Sequence, residues 1–188
     1  MTRIIFPHLS TSLVELTSTR ARFQDAVLDE LTERGLAALP SRDVFKALWP
    51  KDYEGVMAQF LVRDKERDEV TGYASLHFLA PNGRHINCSV TVDPTRTGAS
   101  AVAHVHALTI NYAFAMWNLR KVSFWTVESS LPALRTVSPR VVKEGTLTEY
   151  VLDEGRLRDA SVFVVFRDDW DRGGADYIER IVGEKAAG

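Results

Sequence analysis

The side chains best suited to exchange protons in this sequence lie on two stretches of alternating residues, 70–79 and 85–92. Between them, Pro81, Asn82 and Gly83 suit a three-residue hairpin loop with Gly83 in the left-handed conformation. Because side chains alternate across a strand, one face of this hairpin is predicted to be polar and uncharged: Tyr73, Ser75, His77, His85, Asn87, Ser89 and Thr91. Among these groups only imidazole, with a reference pKa of about 6.5, changes charge near neutral pH.

The opposite face of the same hairpin is predicted to be apolar core: Ala74, Leu76, Phe78, Ile86, Cys88, Val90 and Val92. The register places His77 opposite Asn87 and Phe78 opposite Ile86. Cys88 falls on the apolar face, which favours a small core residue over a nucleophile. The polar face either meets water, as in many antiparallel sheets, or forms one wall of an active-site cleft. Solvated faces usually carry Lys and Glu, so the absence of charge favours the cleft.

The elements that must position these residues alternate in type along the chain. Strands are predicted over 13–16, 59–62, 70–79, 85–92, 121–127, 145–152 and 160–166. Helices are predicted over 19–34, 43–58 and 100–119, the first stopped by Gly35 and the second kinked or divided at Pro50. His104 and His106 lie two apart on the third helix, on different faces, which argues against a metal pair and favours packing or cleft lining. This order predicts an α/β domain with a mixed sheet.

Composition sets the class of protein to expect. The chain has 188 residues, a formal net charge of −2 and a single cysteine. We therefore expect one globular domain without a disulfide framework, with no general affinity for nucleic acid or membrane. The sequence shows no apolar run of transmembrane length, no signal peptide and no Cys/His cluster spaced for zinc, so we expect a cytoplasmic protein without a metal.

The segment after the second hairpin strand has the form of an anion site. Asp93 and Pro94 end the strand, and a turn containing Gly98 leads into the long helix. Free backbone amides and the positive end of the helix dipole suit a pyrophosphate there. Ser100 is expected to cap this helix with its hydroxyl.

The segment VTVDPTRTGASAVAHVHALTINYAFAMWNLRKVSF resembles the acyl-CoA-binding core of the GNAT acyltransferases, especially the branch containing the ribosomal-protein N-acetyltransferases. The shared steps are Val92-Asp93-Pro94, Gly98, Tyr112-Ala113-Phe114 and Asn118-Leu119-Arg120-Lys121-Val122. The segment KEGTLTEYVLDEGRLRDASVFVVFRDDW is similar to the end of the same branch. Together the two segments extend the resemblance over roughly residues 59–170, most of the chain.

The resemblance implies a GNAT fold, a mixed and mostly antiparallel sheet flanked by helices. It also implies transfer of an acyl group from a phosphopantetheine thioester to a primary amine, by direct attack in a ternary complex. Acyl-CoA, with an acetyl or longer group, would be the co-substrate and a small-molecule or peptide amine the acceptor. The implied cofactor-binding residues are Val90 and Val92 along the pantetheine, and Thr97, Gly98, Ala99, Ser100, Ala101 and Val102 at the phosphates.

Departures from the family pattern shift the expected catalytic residues. The family's frequent basic Glu falls at Asn87, which cannot take a proton, so its cross-strand neighbour His77 is the first candidate for the base. His85, on the same face, is the second candidate. Leu131 and Leu134 stand where the branch has Asn and Ser, and the nearest substitutes for the hydroxyl acid are Ser130 and its neighbour Ser129.

Three alternatives stay open from the sequence. The turn before the helix lacks the family's second glycine, which an enzyme charged by an acyl carrier protein could tolerate, because a carrier-borne phosphopantetheine has a single phosphate. Arg96 would then meet an acidic helix of the carrier. The domain could instead be a non-catalytic GNAT fold that binds acyl-CoA or a partner, or a different α/β protein that binds a small molecule. Self-association into a homodimer is also left open.

Overall fold

A computed structural model describes residues 4–20, 24–50 and 55–183 of the chain. Strands and helices follow in the order β1 Val14–Ser18, α1 Gln24–Glu33, α2 Arg42–Leu48, β2 Val56–Asp64, β3 Glu69–Ala80, β4 His85–Val92, α3 Ala99–Met116, β5 Lys121–Thr126, α4 Pro132–Val137, β6 Val142–Asp153, β7 Arg156–Phe166, α5 Arg167–Asp169, a π-helical turn Trp170–Gly174 and α6 Ala175–Gly183. None of the described helices is long and apolar enough to cross a membrane.

The seven strands form one sheet in the order β1-β2-β3-β4-β5-β7-β6. Neighbouring strands are antiparallel except for β4 and β5, which are parallel and joined through α3. Five of the seven predicted strand segments lie within observed strands. The other two, at β1 and β5, extend beyond the observed strand by one residue.

The two faces of the sheet are covered by different helices. Helices α3, α4 and α6 pack on one face, where the core includes Leu76, Ile86 and Cys88, as predicted for the apolar face of the hairpin. Helices α1 and α2 pack on the other face around Tyr73 and Trp49. A ligand that contacts both helix layers therefore needs an opening in the sheet between them.

Helix α1 ends as the glycine at its boundary predicts. Gly35 has φ +76°, and the amides of Gly35 and Leu36 donate to the carbonyls of Thr32 and Leu31. This Schellman arrangement satisfies two carbonyls at the end of the helix. The part of the predicted 19–34 helix at residues 21–23 lies outside the described residues.

The predicted helix over 43–58 is wrong in its second half. Helix α2 ends at Leu48, two residues before Pro50, and β2 has begun by Val56. Proline lacks an amide donor and disfavours helical geometry in the residue before it, which ends the helix there. The short apolar run at the start of β2 has no clear period, so its pattern could not separate strand from helix.

The hairpin between β3 and β4 has the predicted central register, with Ser75 opposite Ser89 and His77 opposite Asn87. The predicted loop is wrong: Ala80 pairs with His85, which leaves a four-residue turn. The positive φ of this turn, +50°, belongs to Arg84 and not to Gly83.

The extra residue that this turn demands is absorbed by a bulge in β3. Phe78 adopts φ +53° and is 50% exposed, so it is not part of the apolar face on which it was predicted. Its amide donates instead to the Gly55 carbonyl at 2.7 Å. Bulges of this kind redirect a side chain at a site, and here Phe78 turns beside His77, the two rings meeting edge to face at 5.0 Å.

A second bulge interrupts β6, the edge strand of the sheet. The register shifts between Leu147 and Val151, where three residues of β6 oppose Asp159 of β7. Glu149 has φ +52°, and its amide donates to the Asp159 carboxylate at 2.9 Å. The bulge brings Tyr150 against Trp125 of β5, with ring centroids 5.8 Å apart.

Candidate active site

Strands β4 and β5 separate partway along their length. Their parallel pairing runs only from His85 with Lys121 to Asn87 with Ser123, although both strands continue beyond that point. A cavity of about 540 Å³ occupies the gap, lined by the separated parts of the strands at 88–92 and 124–127. The facing edges of the two strands therefore present backbone amides and carbonyls to the cavity instead of to each other.

The cavity reaches both faces of the sheet. Val102 and His106 of α3 and Leu131 before α4 line it on one side, while Val44 and Leu48 of α2 line it on the other. A long, thin ligand could therefore enter on the α3 face and present its end on the α2 face. This geometry suits a flexible arm such as pantetheine.

The N-terminus of α3 lies beside one end of the cavity. Gly98 is its N-cap, with φ −63° and ψ 155°, and no side chain caps the helix. The expectation that Ser100 caps it is wrong, because Ser100 lies inside the first turn and is exposed. The amides of Ala99 to Ala101 have no acceptor within the helix, and a side chain built on Gly98 would meet no atom within 4 Å.

Thr97, directly before that N-cap, is 3% exposed, and its hydroxyl has no hydrogen-bond partner among the described residues. Because that oxygen has essentially no exposed surface and Thr97 does not line the cavity, its expected contact with a phosphate stays a prediction. Val90, Val92 and Val102 line the cavity itself.

Asp93 fixes the turn that carries these amides. One carboxylate oxygen accepts from the amide and the hydroxyl of Thr95 at 2.8 and 2.6 Å, and the other accepts from the amide of Ala37 at 3.0 Å. These hydrogen bonds, that from the Thr95 hydroxyl first, hold the pKa of Asp93 at about 2. The segment after α1 and the turn before α3 are therefore joined through one fully buried carboxylate.

His77 and Asn87 lie at the point where β4 and β5 separate. Both line a second cavity of about 150 Å³ on the α2 face, which shares Leu48, Trp49 and Trp125 with the larger one. His77 is 2% exposed, and its Nδ1 has no hydrogen-bond partner among the described residues. Burial lowers the pKa of His77 to about 4, so the ring is neutral at neutral pH.

The other two predicted catalytic residues lie outside both cavities. His85 is half-buried at the start of β4 and packs against the hairpin turn, where a side chain built on Gly83 would come within 2.6 Å of its Nδ1. Ser130 precedes α4, and its neighbour Leu131 lines the larger cavity in its place. Their catalytic roles stay predictions. Cys88 is in the core as expected, and burial raises the pKa of its thiol.

The two histidines of α3 differ in their surroundings. His104 packs away from the cavity, with Nδ1 2.9 Å from the Thr11 hydroxyl. His106 lines the cavity, and its Nδ1 lies 2.9 Å from the Val102 carbonyl, which can only accept. Nδ1 therefore carries the proton, and Nε2 keeps a lone pair. Burial lowers the pKa of His106, so it too is neutral. The two-residue spacing predicted different faces without indicating which histidine would face the cavity.

A polar cluster on the cavity wall has no signal in the sequence. Asp153 of β6 accepts from the Ser41 hydroxyl and, at 2.8 Å, from Arg158 of β7. These partners, Ser41 foremost, lower the pKa of Asp153. Ser41 lies 112 residues before Asp153, so only the folded chain shows that it meets Asp153 and Arg158 of the β6–β7 hairpin at the cavity.

The sequence matches no protein-family model and no curated protein. Solved structures do match its fold. Spermidine N-acetyltransferase from Vibrio cholerae, in complex with CoA and spermine, is 17% identical with a TM-score of 0.61, covering 85% of this chain and 98% of that one. A GCN5-related N-acetyltransferase from Brucella melitensis is 18% identical with a TM-score of 0.64, covering 97% of this chain and 87% of the other. At such identities the likeness concerns architecture, and the chain has the GNAT fold.

Proposed function

We propose that this protein is an N-acyltransferase that moves an acyl group from acyl-CoA to a primary amine. The observation that carries the proposal is the separation of β4 and β5 after Asn87 and Ser123, with a cavity passing through the sheet. Pro94 and Val102, on either side of the α3 N-terminus, line that cavity, and a smaller cavity that shares Leu48, Trp49 and Trp125 with it contains His77. The motifs of the chain resemble the ribosomal-protein N-acetyltransferase branch, and we place it nearest to that branch.

The donor half of the site is suited to CoA. The amides of Ala99 to Ala101 would bind the pyrophosphate, since the helix dipole also favours an anion there. The free edge of β4 near Val90 would hydrogen-bond the pantetheine amides, as one strand does to another. A structural neighbour solved with CoA supports this choice of donor.

The chemistry requires little from side chains. The amine nitrogen attacks the thioester carbonyl, the C–N bond forms, and the C–S bond breaks to release the CoA thiolate, which takes a proton from solvent. Holding both substrates in the gap supplies proximity, and unpaired strand amides can stabilise the oxyanion. The proton lost by the nitrogen goes to His77, directly or through a water, and then to solvent.

His77 suits this role by position more than by basicity. A ring with a pKa of about 4 is neutral and available to accept a hydrogen bond at any pH above about 5. The His77 side chain lines the smaller cavity, where the amine would arrive, and its unpartnered Nδ1 is itself buried. We therefore propose that His77 orients the attacking amine and takes its proton transiently, while Asn87 contributes hydrogen bonds without exchanging protons.

An acyl carrier protein is the less favoured donor. Arg96, the residue expected to meet an acidic carrier helix, donates to the Gly35 carbonyl at 2.8 Å and lies 3.7 Å from Glu69. Its guanidinium is therefore engaged within the chain, and the open N-cap at Gly98 suits a diphosphate.

A thermal-shift titration with CoA, acetyl-CoA and a charged acyl carrier protein tests the donor. Acyl-CoA should stabilise the fold by about 2.7 kcal/mol at a hundred times its Kd, and thiol release with a panel of amines should follow. Turnover with the charged acyl carrier protein but not with acyl-CoA would show that the carrier protein is the donor. Neither a shift nor thiol release with any donor would leave the non-catalytic interpretation.

A further inference from the structure

The smaller cavity, where the acceptor amine would lie, has aromatic walls. Beside His77 it is lined by Trp49, Phe78, Trp125 and Tyr150. Phe78 and Tyr150 are each 50% exposed and form its rim, while Trp49 is buried at its base. Half-exposed rings around a cavity are covered when a ligand of matching shape binds, so this rim indicates an apolar or aromatic occupant.

These rings are held in place before any ligand arrives. Trp49 stacks on Phe45 at 4.6 Å, Trp125 packs on Tyr150 at 5.8 Å, and the Phe78 ring meets His77. The bulges in β3 and β6 are what bring Phe78 and Tyr150 to the rim. Because the walls come from four separate elements, they form a preorganised pocket and not a single flexible loop.

The size of the cavity limits what it can hold. Its volume is about 150 Å³. An apolar cavity of roughly that volume in another protein holds one benzene molecule. One six-membered ring therefore fits between the aromatic walls, whereas a long extended chain would leave most of its length outside them.

The charges around the cavity disfavour a polycation. None of the described residues lining it carries a carboxylate. The acidic residues Asp153 and Glu128 line the larger cavity, and both face Arg158, at 2.8 and 3.9 Å. An acceptor with several ammonium groups would meet no opposite charge among the described residues that line this cavity, while a single amine beside aromatic faces is tolerated.

We propose that the acceptor is a primary monoamine borne on one aromatic or similarly flat ring through a short linker. The ring would lie between Trp49, Phe78, Trp125 and Tyr150, and the amine would point to His77 and Asn87. This inference rests on the proposed acyl transfer and names its substrate class. The same bonds change as in any such transfer, giving an amide of the ring-bearing amine and free CoA.

The test compares amines on the full chain with acetyl-CoA, by release of free thiol. The panel is phenethylamine, tyramine and tryptamine, against hexylamine, spermidine and a short peptide with a free N-terminus. The ring-bearing amines should have kcat/KM about tenfold or more above the others, the gain expected from one well-packed ring. Preference for spermidine or the peptide would overturn the inference and leave the acyl transfer intact.

A matched pair of variants locates the ring. Tyr150→Ala removes one rim residue, while Leu152→Ala changes a residue of the same strand that is 58% exposed and lines neither cavity. Tyr150→Ala should lower kcat/KM about tenfold for phenethylamine and by much less for hexylamine, with Leu152→Ala unchanged for both. Equal losses for the two amines would contradict a ring-specific wall.

Binding without turnover gives an independent answer. Trp49 and Trp125 line the cavity, so a bound ring amine should change tryptophan fluorescence in the presence of CoA. If no amine releases thiol, a saturable fluorescence change with phenethylamine and not with spermidine still supports the pocket assignment, while the acyl transfer fails. Absence of any change with the ring amines would overturn the inference.

Discussion

The two ends of the cleft present different kinds of chemical group, backbone amides at one end and side chains at the other. At the proposed donor end the groups free to bind are backbone amides of the α3 N-terminus, presented by a turn that Asp93 fixes. At the acceptor end they are side chains, with His77 and Asn87 surrounded by aromatic rings. A site made of backbone depends on one turn geometry and tolerates sequence change, whereas a site made of side chains changes chemistry with each substitution. In the sequence, the turn before α3 keeps one glycine of the pattern it resembles, Gly98, whereas Asn87 stands where that pattern frequently has a basic Glu.

The strongest test of this contrast blocks the donor backbone with one side chain. Gly98→Trp fills open space beside the free amides, so CoA binding should be lost, with no thermal shift at any practical concentration. Gly145→Trp is the matched control, because Gly145 also has no atom within 4 Å of a built side chain and lies on the edge strand β6. An unchanged CoA shift in Gly98→Trp would remove the donor site from this turn.

The corresponding test at the acceptor end removes one side chain and should spare the donor. His77→Ala should lower kcat/KM by about 100-fold, the usual size for loss of a general base, with the Kd of CoA unchanged. Because the pKa of His77 is about 4, wild-type activity should show no inflection from this residue between pH 6 and 9. Full activity in His77→Ala would show that His77 is not the general base, and His85→Ala would then be the next variant to measure.

Asp93 sharpens the comparison because it links the turn before α3 to the segment after α1. Asp93→Asn loses an acceptor for the amide of Ala37 in a part-buried hydrogen bond, and this loss should cost about 1 kcal/mol of unfolding free energy. KM for acyl-CoA should rise while kcat with saturating donor changes little. Asp68→Asn, at a side chain 86% exposed, is the control for charge loss, measured by urea unfolding. A rise in the acceptor's KM alone would contradict this assignment.

The smallest effect expected is in the pH dependence of stability. The pKa of His77 is lowered on folding, so the unfolded chain binds more protons between about pH 4 and 6.5, and stability falls as pH falls through that window. This residue should cost about 1 kcal/mol between pH 8 and pH 6, rising to about 2 kcal/mol by pH 5. In His77→Gln, the free energy of unfolding measured with urea should lack this decrease between pH 8 and pH 5. Parallel curves for the two proteins would show that His77 titrates normally.

Much of the fold could be predicted from the sequence because strand alternation and helix ends are local signals. The register of Ser75 with Ser89, the face of Cys88 and the glycine stop at Gly35 all follow from nearest neighbours along the chain. The prediction of a turn with Gly83 in the left-handed conformation is wrong, because the positive φ lies at Arg84. The compensating bulge at Phe78 has no local sequence signal. Positive φ at a bulky residue is imposed by tertiary pairing.

The acceptor end was only partly predictable for the same reason. His77 and Asn87 share one hairpin, so their proximity follows from alternation. Tyr150 and Trp125 come from strands far apart in sequence, and they meet only after the sheet forms and β6 bulges. His85 satisfied the alternation but packs against its own turn, which the pattern of faces could not reveal.

The bulge at Glu149 has a further consequence for the behaviour of the protein in concentrated solution. β6 is the outermost strand, and a long regular edge would offer a template for strands of other molecules. The displaced residues around Glu149 interrupt that ladder, and Lys143 and Glu144 add charge beside it. We expect β6 to resist edge-to-edge aggregation, so shortening the bulge would make the chain prone to fibrous assembly even where the fold itself became more regular.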